Sequence, residues 1–386
     1  MFAYINKIFY TFFYSMKSNI KIIAVITCIF CAQSMLIAQN ANLLVGTYTQ
    51  KGSKGIYVLN FDTATGNAIV LSHTDSCTNP SFLTISKDKK FVYAVNETNQ
   101  GAVSAFALNN NKLTLIQQKI TKGENPCYVI LSPDQHNVFV ANYSGGSITQ
   151  FHRFADGTIS NAQQFIQHNG KSINTSRQEK AHVHGTFFSP NGDYLLTPDL
   201  GMDQISIYPY TSNTSLPLDI SKSSAIISNP GAGPRHIAFS KNGRYLYIIE
   251  ELTGSISVYQ FNKGQTTFIQ KVFTHTANFN GTPGSADIHI SPDGKFLYAS
   301  NRGEENNIAK FAIAQNGKLD EKGMTIFSVF GKKPRNFNIT EDGNWLLVAN
   351  QDSDNIVVFK RNKITGDLVN TGNDIKISMP VCLVLF

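Results

Sequence analysis

The stretch GPRHIAFSKNGRYLYIIEEL, residues 233–252, reads as a single β-hairpin. Two apolar runs, IAF and YLYII, flank the polar turn SKNG, whose Ser, Asn and Gly are the residue types a tight turn requires. The hairpin is unusual at its ends, with Pro-Arg-His where it starts and a glutamate pair where it finishes. In an antiparallel pair the start of the first strand lies beside the end of the second. Arg235 and Glu251 are therefore expected together at one end, with the SKNG turn at the other.

The same pattern recurs along the chain. Turns of this kind begin at Ser86 (SKDKK), Ser132 (SPDQH), Ser189 (SPNGD), Ser240 (SKNGR), Ser291 (SPDGK) and Thr340 (TEDGN), at intervals of 46, 57, 51, 51 and 49 residues. A period near fifty built from short strands and turns is the mark of a propeller blade. Each unit reads as four strands. Around Ser132 these are CYVILS, NVFVANY, GSITQFHRF and an outer strand after ADGTI. Third strands are expected at 102–108, 204–210, 255–261, 307–313 and 355–360, where polar and apolar residues alternate.

Six turns give six blades, and the two ends supply another. NLLVGTYTQKGSKGIYVLNF (42–61) reads as a second and third strand with no first strand before them, and MPVCLVLF (379–386) reads as a first strand with nothing after it. Pro380 precedes Phe386 by six positions, as Pro234 precedes Ser240 and Pro126 precedes Ser132. The expected fold is all-β, a seven-bladed propeller over 40–386, closed by the C-terminal strand joining the N-terminal blade so that no sheet edge is left open at the seam.

Composition agrees with this. The 386 residues are 42% hydrophobic and only 15% charged, with 27 Phe, 15 Tyr and 28 Gly, which suits short strands and many turns. The net charge of +7 is spread without basic runs, so no nucleic-acid partner is expected, while a basic surface favours a small anionic substrate. Residues 1–39 read as an export signal. Lys17 and Lys21 are followed by an apolar stretch at 22–32, too short to span a membrane, and by small residues up to Ala38 and Gln39. Met16 is an alternative start, and a retained N-terminal anchor is the alternative to cleavage. The expected location is periplasmic or extracellular, with no other membrane contact, and the expected state is a monomer. Cys77, Cys127 and Cys382 remain after the signal, an odd number that does not suit a disulfide framework.

The blade register predicts a ring of side chains at one mouth of the central channel. Five residues before each turn come Ser81, Cys127, His184, Arg235, Ala286 and Arg335, and eleven after it come Glu97, Tyr143, Leu200, Glu251, Arg302 and Gln351. Charges gathered in a concave mouth are costly unless paired or used, which makes this the candidate site. Arg–Glu pairs there could also simply tie blades together. One position earlier come Asn96, Asn142, Asp199, Glu250, Asn301 and Asn350; the Asn found there in four of the six blades reads as strand-end turn chemistry, while Glu250 competes with Glu251, the register favouring Glu251 because that position faces with Arg302. His182 and His184 lie two apart on one strand face, but the sequence offers no third ligand, so no metal or cofactor is expected.

The motifs VGTYT, ANYSGGSI, PDLGMDQI, GAGPRHIAFS, ELTGSISVY, SPDGKFLYASNRG and PRNFNIT, in this order, resemble those of the seven-bladed lactonase propellers, a family that includes propeller-type 6-phosphogluconolactonases and carboxy-cis,cis-muconate cyclases. The resemblance covers about 42–386. It implies a propeller and a lactone hydrolase acting on a sugar lactone such as 6-phospho-D-glucono-1,5-lactone. The alternatives are cyclase chemistry or an exported propeller that binds without catalysis. The family's histidine, two arginines and glutamate fall on His184, Arg235, Arg302 and Glu251, the same four residues as the blade register selects. Arg335, Glu97, Tyr143 and His236 are the substrate-binding candidates beside them. In this reading the arginines hold an anionic group and the oxyanion, and His184 or Glu251 is the general base.

Overall fold

The computed structural model describes residues 40–386; the expected export signal at 1–39 lies outside the described residues. Seven four-stranded antiparallel sheets follow one another around a channel. With blades counted from the one that carries the Ser86 turn, the hairpin at 233–252 forms the two inner strands of the fourth, Pro234–Phe239 and Tyr245–Glu250, followed by Ser255–Asn262 and Gln265–Phe273. The seam is as expected. Pro380–Leu385 pairs with Asn40–Thr47, placing Leu43 opposite Leu385 and Val45 opposite Leu383, and the sheet continues through Ile56–Asp62 and Ala68–Thr74. The third strands begin where the alternation places them and end within one residue of it.

The recurrent turn is held by its own serine. In the second blade, Ser132 Oγ donates to Asp134 at 2.5 Å and accepts from the Asn137 backbone N–H at 2.9 Å. Ser291 does the same with Asp293 and Phe296. Each turn thus fixes its hairpin locally. Apolar faces then meet between blades, as Leu43, Leu59 and Phe61 of the closing blade meet Leu347, Ala349 and Val358 of the blade before it, and burial on that scale holds the ring.

Two departures from regular strands shape the channel. The first strands of the second, fourth and sixth blades shift register after their opening proline, between Pro126 and Tyr128, Pro234 and His236, and Pro334 and Asn336. A bulge opposes two residues to one and re-aims a side chain. Cys127, Arg235 and Arg335 occupy these bulges, so each can face the channel together with the residue after it, which strict alternation would forbid. In the third blade the first strand shrinks to Phe187–Phe188. Val183 still bridges to Asp199, and His184 N–H donates to Pro198 O at 2.9 Å. Pro198 has no N–H to return, which breaks the ladder there.

Candidate functional site at the channel mouth

The bulges and strand ends deliver the predicted ring to one mouth. Glu251, 5% exposed at its side chain, is its anchor. Its carboxylate lies 2.9 Å from Arg302 Nη2, 3.1 Å from Arg235 Nε and 2.7 Å from Arg177 Nη2. The Arg235 Nε contact is ionic rather than a well-aligned hydrogen bond, since that N–H has no acceptor in line. Burial alone would raise the Glu251 pKa, but Arg302, Arg235 and Arg177 outweigh it and hold the carboxyl well below the usual range. Of the two adjacent glutamates, Glu251 is the one that lies against Arg302 and Arg235. Glu250 turns outward to Lys271 (2.7 Å), Ser255 and Ser257.

Arg235 is almost fully buried and tightly held. Nη1 donates to Ala286 O at 2.5 Å and lies 3.3 Å from His236 Nε2, whereas Nη2 has no partner among the described residues. Burial and the neighbouring Arg302 and Arg335 pull it down to about 9, still a cation at neutral pH. Arg302 also donates from Nε to Gly284 O at 3.1 Å. Arg335 differs from both. Half-buried, it places its guanidinium 5.6 Å from the Tyr48 ring and makes no hydrogen bond or ion pair to any described residue. Glu97 sits nearby, accepting from Tyr48 at 3.0 Å and from Ser81.

His184 lies between these two groups, 5% exposed. Its Nδ1 is 3.9 Å from Cys127 Sγ, and its ring is edge-on to Tyr143 at 5.4 Å and to His236 at 5.4 Å. Burial and the surrounding Arg235, His236, Arg335 and Arg302 push its pKa well below the ordinary histidine value, so the ring is neutral at physiological pH. The Cys127 thiol is raised by burial and stays protonated, which removes it as a nucleophile. Tyr143 accepts from Arg177 at 3.3 Å and stacks on His182 at 4.6 Å. Both His182 nitrogens are engaged, with Tyr143 O and Glu179 at 3.1 Å each, so His182 is not free to pair with His184 as a ligand.

His236 sits deeper, with Nδ1 2.8 Å from Asp287. A rim cavity of about 380 Å³ is lined by Tyr48, Asn79, Glu97, Asn125, Lys333 and Arg335. Beneath it, a cleft of about 10 Å³ is bounded by Cys127, His184, Arg235, His236, Arg335 and Asn336, about the room one water needs. Arg335 lines both spaces. The strand-end asparagines tie strands together and do not cap their own turns: Asn96 accepts from Ser104 at 2.7 Å, and Asn301 donates to Thr274 O at 2.9 Å. Asp199 does hold its turn, accepting from the Gly201 and Met202 N–H groups at 3.0 and 3.2 Å.

Sequence reasoning missed Arg177, Tyr48 and Asp287. Arg177 comes from the long connection before the third blade, outside the repeat. Tyr48 follows Thr47, the last residue of its strand, in the blade whose turn motif is lost to the chain ends. Asp287 had a usable signal: it stands four residues before Ser291, as His236 stands four before Ser240.

Comparison with known proteins agrees with the fold and the family resemblance. The chain is 37% identical over 352 residues to a 6-phosphogluconolactonase of Formosa agariphila, covering 89% of this chain and 99% of that one. It superposes with a TM-score of 0.85 on a Bacteroides fragilis structure provisionally assigned as a 6-phosphogluconolactonase, at 39% identity over 91% of this chain and 99% of that chain. It superposes at 0.83 on a periplasmic gluconolactonase of Pseudomonas aeruginosa, at 34% identity over 90% and 99%. Residues 42–385 match the family Lactonase, 7-bladed beta-propeller, and the chain belongs to that family.

Proposed function

We propose that this protein is a lactone hydrolase that opens a sugar lactone at the channel mouth. The observation that carries the reading is Arg335, an unpaired guanidinium shared by the rim cavity and the water-sized cleft beside His184 and Arg235. An unsatisfied fork in a concave mouth suits a carboxylate, a phosphate or a developing oxyanion.

The chemistry follows from the protonation states. Neutral His184 accepts a proton as water adds to the lactone carbonyl carbon. The oxyanion that forms is stabilised by Arg335 and by Nη2 of Arg235. Collapse breaks the ring C–O bond, and the protonated His184 returns its proton to the departing alkoxide. The product acid then releases a proton to solvent and leaves as a carboxylate. Glu251 is fixed by three arginines and is a poor base; it orients Arg235 and Arg302. Glu97, Tyr143 and Tyr48 border the substrate, and Lys333 beside Arg335 gives the rim cavity a positive wall for an anionic tail. The relatives include enzymes named for a phosphorylated and for an unphosphorylated gluconolactone, and this positive wall favours the phosphorylated sugar.

The signal at 1–39 fits an exported enzyme, and a periplasmic relative supports that reading. No helix among the described residues is long and apolar enough to cross a membrane. Mass spectrometry of the protein from its host should find the first 38–40 residues removed; an intact N-terminus would overturn export. The activity is tested by acid release from a panel of phosphorylated and plain sugar lactones. Hydrolysis with a higher kcat/KM for the phosphorylated lactone is expected. Binding without acid release would identify a non-catalytic propeller, and ring closure of an unsaturated diacid in its place would identify a cyclase.

A further inference from the structure

Beneath the mouth, four polar side chains form a line along the channel. His289 Nε2 lies 3.0 Å from Asp287 Oδ2, and Asp287 Oδ1 lies 2.8 Å from His236 Nδ1. His236 Nε2 lies 3.3 Å from Arg235 Nη1. The order is His289, Asp287, His236, Arg235, and only the last of these belongs to the proposed chemistry.

Asp287 is the fixed point. It is 3% exposed and accepts from the Ile288 N–H at 3.0 Å, from Asn336 Nδ2 at 2.5 Å and from the Phe337 N–H at 3.3 Å, besides the two histidines. These donors come from three inner strands, so the carboxylate is held by the ring itself. Burial would raise its pKa, but His289 and His236 keep it well below the usual range. A carboxylate at this place admits one tautomer of the neutral His236 ring: Nδ1 carries the proton and donates, and Nε2 is left as an acceptor. Burial and Arg235 bring the His236 pKa down to about 4, so the ring is neutral at working pH. The atom facing Nε2 is Nη1 of Arg235, which must donate. Arg235 is also tied to Ala286 O and lies against Glu251. The Nε2 contact therefore fixes the rotation of the guanidinium plane and aims Nη2.

We propose that Asp287 is a positioning residue for the lactone site, setting the tautomer of His236 so that Nε2 accepts from Arg235 and orients its free Nη2. This rests on the proposed function insofar as Nη2 meets the substrate. The arrangement is a carboxylate–imidazole pair of the kind that orients a reacting ring, here used to orient an arginine instead.

Two measurements test it. The first needs no lactone. In nitrogen-15 NMR of the full propeller, with His236 assigned by comparison with His236→Asn, Nδ1 should be protonated and Nε2 unprotonated at neutral pH. Asp287→Asn should erase that preference. A protonated Nε2 in the wild type overturns the proposal, whether or not the protein hydrolyses lactones. The second is a double-mutant cycle on kcat/KM. Asp287→Asn should cost roughly ten- to a hundredfold in the wild type, as misplacement of a reacting group does, and less than about twofold in an Arg235→Ala background. Equal losses in both backgrounds overturn the proposal. Should Asp287→Asn fail to fold, His236→Asn takes its place. It keeps a donor where Nδ1 stood but removes the acceptor at Nε2, so a purely structural tie to Asp287 would leave activity intact, whereas positioning of Arg235 requires the loss. A wild type without lactone hydrolysis sinks the proposed function alone and leaves the NMR result to decide the tautomer.

Discussion

Replacing Glu251 with Gln leaves the shape of the mouth nearly unchanged and removes its central negative charge. Arg235 is 2% exposed at its side chain and Arg302 12%, so both would keep buried charges with no counter-ion. Arg177 is 41% exposed and loses only a screened contact, worth at most about 1 kcal/mol. Breaking a buried ion pair by removing one partner costs about 3–5 kcal/mol, a large part of a typical total of about 5–15 kcal/mol. The variant should therefore fold at about pH 7 but unfold at a clearly lower urea midpoint than the wild type, with an unchanged slope. The pH dependence has a definite sign. The Glu251 carboxyl titrates in the fold below its ordinary value of 4.5. Its stabilisation is complete above that ordinary value and is lost as pH falls toward the folded value. The gap between wild type and Glu251→Gln should be widest near neutrality and narrow as pH drops below about 4.5. A variant as stable as the wild type at neutral pH, or a gap that widens on acidification, would refute the ionic anchoring of the arginines.

Three further outcomes are expected. Cys127→Ser should leave kcat/KM within about threefold, and the wild-type thiol should resist alkylation until the protein unfolds, because burial keeps it protonated; rapid labelling of the native protein would contradict this. Deleting residues 380–386 removes Val381, Cys382 and Leu383, each at most 2% exposed. At about 1.5–3 kcal/mol per buried side chain, and with a sheet edge opened, the truncated chain should not give a cooperative melt; a wild-type melting temperature would refute closure at the seam. The rate should be flat through neutral pH and fall on the acid side only well below the ordinary histidine value of 6.5, where His184 gains a proton. An acid limb at or above that value would point to a different base.

The fold was legible because the turn serine repeats. Ser132 and its counterparts fix each hairpin through bonds within five residues, so a local signal carries the whole ring. Site residues at fixed offsets from those turns, such as Arg235, Glu251 and Arg302, could be placed by counting. Counting alone placed them in the ring but not in their roles. That Arg235 and Arg302 are taken by Glu251 while Arg335 is free depends on rotamers and bulges, which leave no mark in the spacing. Asp287 shares with His236 its offset from the turn, but strict alternation argued against it. Alternation allows one channel-facing residue of each adjacent pair, and the register shift between Ser285 and Ile288 brings in another. Arg177 arrives from a connection outside the repeat, and only the folded chain brings it to Glu251.

The central claim is that lactone hydrolysis takes place at this mouth, with His184 as base and Arg335 as the free cation. The direct measurement is kcat/KM of His184→Ala and Arg335→Ala on the best lactone of the panel, with the melting temperature of each variant recorded alongside. The account predicts losses of about 10²–10⁴-fold for the missing base and about 10²–10³-fold for the missing oxyanion donor, with melting close to that of the wild type. Near-normal turnover in both variants, or losses that merely follow the unfolded fraction, would contradict it.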